Sequence, residues 1–116
     1  MDFLFVELPI FTRLRPSYLN EDQYWELQQL LLSAPDSGSL IQHTGGLRKL
    51  RFQDSNRQKG KRGGIRIIYY WWRQHHQIWL FTIYSKGEVS DLTSSEKKAL
   101  RFMLRNEIKA KAKFHD

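Results

Sequence analysis

Eight consecutive residues, Ile65-Arg66-Ile67-Ile68-Tyr69-Tyr70-Trp71-Trp72, constrain the fold of this 116-residue chain more than any other stretch. Seven of the eight are β-branched or aromatic, which specifies a strand. Alternation places Ile65, Ile67, Tyr69 and Trp71 on one face, and Arg66, Ile68, Tyr70 and Trp72 on the other. Both faces are largely apolar, so the strand must lie centrally in a sheet with cover on each side. Arg73-Gln74-His75-His76 then turns the chain into a returning strand, Gln77 to Tyr84. Upstream, Gly45-Gly46 leads into a strand over Leu47 to Phe52, with Leu50, Phe52 and Arg48 on one face and Lys49 and Arg51 on the other. Between these strands, Asp54 to Gly64 is polar and glycine-rich, a hairpin tip able to close over a ligand.

The remaining elements flank this sheet. Phe3 to Glu7 is a short strand ended by Pro9, and Ile10 to Arg15 makes a helical turn before Pro16. Asn20 and Gln23 form a capping-box pattern for an amphipathic helix, Glu21 to Ser33, in which Tyr24, Leu27 and Leu31 repeat at helical spacing with Leu30 and Ala34 beside them. Pro35-Asp36-Ser37-Gly38 stops it, and Ser39 to Thr44 is a connection in which His43 is a loop residue. Thr93 and Glu96 repeat the capping pattern ahead of a helix from Ser94 to Lys109, whose late lysines, Lys109, Lys111 and Lys113, form a solvated, fraying tail. Strand, helix, three antiparallel strands and helix make a single α+β domain over residues 1–116, its mainly antiparallel sheet flanked by an N-terminal helical segment and a C-terminal helix.

Charge is the second constraint. Positions 45–66 hold eight basic residues against one acid, Asp54, a surplus equal to the +7 of the whole chain. Elsewhere eleven basic residues balance eleven acids. A positive field focused on one segment suits a polyanion. The 41% apolar content and sixteen aromatics can build a core without disulfides, and with no cysteine there is neither a thiolate metal site nor a thiol nucleophile. No apolar run approaches a membrane span, and Met-Asp-Phe-Leu-Phe-Val-Glu is too polar for a signal peptide, so a cytoplasmic location is expected.

Several chemistries are disfavoured. Gly60 to Gly64 precedes a strand rather than a helix, so its glycines do not build a nucleotide-phosphate loop. The acids are scattered, and His75-His76 reads as a hairpin tip rather than a metal site, so no metal or cofactor is expected. Arginine, lysine and tyrosine on strands remain. They suit charge stabilisation at an RNA phosphodiester, where the ribose 2′-hydroxyl is the nucleophile. Arginine cannot serve as the base, whereas a lysine or tyrosine could if neighbouring cations lowered its pKa. Composition of this kind, taken alone, more often describes a module that binds RNA without cutting it.

Three motifs sharpen the choice: Gly-Gly-Leu-Arg-Lys-Leu-Arg at 45–51, Gly-Lys-Arg-Gly-Gly-Ile-Arg-Ile-Ile-Tyr-Tyr-Trp at 60–71, and Leu-Phe-Thr-Ile-Tyr-Ser-Lys-Gly-Glu at 80–88. With Asp-Leu-Thr at 91–93, they make the chain resemble the RelE/HigB superfamily of bacterial toxins, in particular its HigB-type branch. The resemblance implies a ribosome-dependent mRNA endonuclease, neutralised by a cognate antitoxin with a helix-turn-helix part through which the complex reaches operator DNA. It implies that Arg66 stabilises the phosphate transition state, with Lys86 as a further cation and Tyr84 stacking a base or aiding proton transfer. Arg48, Lys49 and Arg51 would line or flank the site, and Lys59, Lys61 and Arg62 would grip RNA. Several relatives carry a tyrosine where this chain reads Ser90-Asp91-Leu92, which leaves Lys86 and Tyr84 as the candidates for acid and base. The ParE-like branch, which inhibits a protein target, is the alternative within the same fold.

Overall fold

The aromatic strand takes the central position that its two apolar faces demand. The computed structural model describes residues 3–52, 64–85, 87 and 91–112. In chain order they form β1 (Leu4–Glu7), α1 (Pro9–Tyr18), α2 (Glu21–Ser33), β2 (Ser39–Leu40), β3 (Arg48–Phe52), β4 (Ile65–Trp72), β5 (Gln77–Ser85) and α3 (Ser94–Ala112). One sheet runs β1-β5-β4-β3-β2, antiparallel except for β1, which pairs parallel to β5. That parallel edge was not legible locally, because β1 reaches its partner across the whole intervening chain. The expected hairpin tip over Asp54 to Gly64 lies outside the described residues apart from Gly64 itself.

Each face of the sheet carries its own core. On one, Leu50, Ile67, Tyr69, Leu80 and Ile83 pack against Phe11 of α1 and Tyr24, Leu27 and Leu31 of α2. On the other, Ile68, Trp72, Trp79 and Phe81 pack against Leu104 of α3, with Leu100, Met103 and Ile108 beside it. The predicted caps form. Asn20 and Gln23 exchange two bonds of 2.8 Å, and Thr93 and Glu96 exchange bonds of 2.8 and 3.1 Å.

Two N- and C-terminal expectations are corrected. The turn before Pro16 is a ten-residue helix with Pro16 inside it. Pro16 faces solvent, the Leu19 N–H bonds to the Arg15 carbonyl beyond it, and Phe11, Leu14 and Tyr18 dock on the core. Packing of that face outweighs the roughly 3 kcal/mol that an internal proline costs. At the other end α3 continues to Ala112, because Lys111 is held rather than frayed. Its ammonium lies 3.4 Å from Glu107 and 5.3 Å from the centre of the Trp79 ring.

One irregularity positions the site. Ile68 pairs with Thr82 but Tyr69 pairs with Leu80, so Phe81 is an extra residue, a β-bulge in β5. Strict alternation from Trp79 would send Ile83 to the α3 face and Tyr84 to the α2 face. The bulge reverses both: Ile83 joins the α2-side core and Tyr84 the α3 side.

Candidate functional site

On the α3 side of the sheet, one row of side chains crosses three strands. Arg51 of β3 stands opposite Arg66 of β4, which stands opposite Tyr84 of β5. Cross-strand partners share a face with their Cβ atoms about 5 Å apart, and like charges so placed are destabilising. Arg66 is 7% exposed, yet Arg51 beside it is open to solvent. Lys49, opposite Ile68, lies two residues along the same face, about 6–7 Å from Arg51 by strand geometry. Gly64 leads into β4 at φ +60°, a conformation costly for residues with a Cβ.

Tyr84 is half-buried, and burial holds its phenol above the usual tyrosine range. The nearby Arg66 charge opposes that shift, while Asp91 and Glu96 add to it. The expectation that neighbouring cations would lower such a tyrosine is therefore reversed for Tyr84. At neutral pH it is a phenol, able to donate a proton or a hydrogen bond.

Two hollows adjoin the row. A cleft of about 570 Å³ is lined by Ser39, Leu40, Ile41, Gln42, Lys49, Asp91, Leu92 and Lys97. An apolar groove of about 350 Å³ runs between α1 and α3 past Phe81 and Tyr84, with Leu14, Tyr18, Leu100 and Met103 in its walls. Leu92 lines both. Among the described residues, no group of three or more His, Cys, Asp or Glu is placed to hold a metal ion.

The sequence-predicted residues divide into three sets. Lys49, Arg51, Arg66 and Tyr84 come together on one face. Arg48 does not. It points to the α2 side, where its guanidinium donates to the carbonyls of Gly38 at 2.7 Å and Asp36 at 3.2 Å. Its expected place beside Lys49 and Arg51 is corrected accordingly, because odd and even positions of a strand face opposite ways. Lys59, Lys61, Arg62 and Lys86 lie outside the described residues. Sequence reasoning missed Gln42, Asp91 and Lys97, the first of which lies far along the chain from the other two. Only the Asp-Leu-Thr motif hinted at Asp91.

No protein-family model matches the sequence. Among solved structures, the fold is similar to that of the E. coli toxin RelE, a double arginine-to-alanine mutant in the free state, with a TM-score of 0.54 and 11% identity over 78% of this chain and 90% of that one. It is also similar to a chain of the intact E. coli RelBE toxin–antitoxin complex, with a TM-score of 0.50 and 10% identity over 71% of this chain and 94% of that one. The chain has the RelE fold.

Proposed function

We propose that this protein is the toxin of a toxin–antitoxin pair and that it cleaves mRNA in the ribosomal A site. The carrying observation is the Arg51–Arg66 pair, two like charges held opposite one another next to a protonated tyrosine. Arg66 brings its charge to a nearly buried place on the same face as exposed Arg51, and a phosphodiester gaining charge in its transition state is an anion that such a row can stabilise. The RelE fold supports the same reading.

In this reaction the 2′-oxygen bonds to phosphorus as the bond to the 5′-oxygen breaks. The 2′ proton leaves to a base, and the 5′-oxygen accepts a proton. Arg66 and Arg51 stabilise the pentacoordinate phosphate, and Tyr84, kept protonated by burial, donates toward the leaving oxygen. Lys86 remains a proposed further cation, and Lys59, Lys61 and Arg62 remain proposed RNA contacts. An antitoxin segment with apolar residues for the groove beside Tyr84 and acids for the cationic row would block the site, since burial and neutralisation act together.

Arg66→Ala, with Arg66→Gln as a second variant that keeps polar bulk, is expected to abolish growth arrest and mRNA cleavage while circular dichroism stays unchanged. Toxicity retained with intact message would favour ParE-like inhibition of a protein. Salt-sensitive RNA binding by the wild-type chain without cleavage on supplied ribosomes would favour a binding module.

A further inference from the structure

The cleft beside the cationic row contains a residue that a phosphate grip would not choose. Lys49 and Lys97 make it attractive to an anion, yet Asp91 sits among the same lining residues. Among the described residues Asp91 closes no ion pair with either lysine, so its carboxylate is not consumed by them. It is exposed, and its charge reaches Tyr84, which places it at the junction of the cleft and the Arg51–Arg66–Tyr84 row. Ile41 and Leu92 give the cleft apolar wall, Leu40 stands 61% exposed in its lining, and Gln42 adds an amide.

These groups suit a nucleoside rather than a bare phosphate. A base needs apolar contact for its plane and polar partners for its edge, while its phosphate needs cations. A carboxylate accepts only, so it selects base edges that present N–H donors. Guanine offers adjacent ring and amino donors, which the two oxygens of one carboxylate can accept together. Uracil offers one donor between two carbonyl oxygens that a carboxylate repels. The step from Arg51 to Lys49 moves a cation along the strand in the direction of this cleft, as a neighbouring phosphate would require.

We infer that this cleft is a base-reading subsite, resting on the nuclease reading above, in which Asp91 accepts from an amino-bearing base next to the scissile phosphate while Lys49 and Lys97 hold the backbone. Asp91 thereby sets which message positions are cut, and the cations set how tightly any message is held.

The test uses the folded full-length chain and two probes, guanosine and uridine 5′-monophosphate, titrated by NMR. The expected result is that the guanosine nucleotide perturbs cleft residues and binds at least about fivefold tighter than the uridine nucleotide. Asp91→Asn should bring that ratio close to one, whereas Lys97→Ala should weaken both nucleotides and keep the ratio. Equal binding of the two by the wild-type chain, or a preference that survives Asp91→Asn, overturns the inference. Cut-site maps on ribosomes then separate the two readings. A chain that prefers the guanosine nucleotide through Asp91 yet leaves mRNA intact keeps the subsite and sinks the nuclease. Cleavage with no base preference does the reverse.

Discussion

The two faces of the sheet receive charge from the same strand and treat it oppositely. On the α2 side Arg48 is absorbed into structure: its guanidinium caps two loop carbonyls, and Tyr69 stands directly opposite it on β4. The Tyr69 hydroxyl donates to the Pro35 carbonyl at 2.6 Å and accepts from the Gly38 N–H at 2.9 Å. Gly38 is required there, since a Cβ would stand 2.8 Å from the Tyr69 ring. On the α3 side, Lys49, Arg51 and Arg66 are gathered beside Tyr84 at two hollows. A basic residue is therefore not a binding residue by type. Its strand parity decides whether the loop carbonyls or the open face receive it.

Substitutions can break or sharpen that contrast. The largest effect is expected for Arg66→Gln, which should lower message cleavage about 100- to 1,000-fold while circular dichroism stays unchanged. A marked fall in the unfolding midpoint would instead make Arg66 a packing residue. Tyr69→Phe should cost about 1–3 kcal/mol in urea unfolding, since it orphans the Gly38 N–H and the Pro35 carbonyl, without altering the salt dependence of RNA binding. Arg51→Ala should reduce RNA affinity several-fold and flatten the slope of log affinity against log salt by about one unit. Arg48→Ala should leave that slope alone and lower stability by about 1 kcal/mol. If both arginine variants change the slope equally, the faces are not functionally distinct.

The smallest effect concerns pH. Burial raises the phenols of Tyr24 and Tyr69 on the α2 side and of Tyr70 and Tyr84 on the α3 side above the ordinary value of 10.0. The Tyr24 hydroxyl also donates to the Glu7 carboxylate, which pushes it further. A folded-state value above the unfolded one favours the native state fully below about pH 10 and progressively less as pH rises through the folded value. Stability should therefore decline above about pH 10, and phenolate absorbance should appear together with unfolding. Tyr24→Phe should shrink that alkaline decline more than Tyr84→Phe does.

Composition and spacing determined much of this protein. The run Ile65–Trp72 required a central strand, the Asn20–Gln23 and Thr93–Glu96 spacings marked both helix starts, and parity separated Arg48 from Lys49 and Arg51. These are local properties, written into residues within a few positions of one another. Tertiary structure alone decided the rest. The extra residue at Phe81 rotated Tyr84 onto the face of Arg66, and burial raised its phenol where local charge argued for lowering it. Packing of Phe11, Leu14 and Tyr18 carried α1 through Pro16, and the fold brought Gln42, Asp91 and Lys97 to one cleft. Register, burial and convergence depend on partners distant in the chain, and no stretch of sequence contains its own partner.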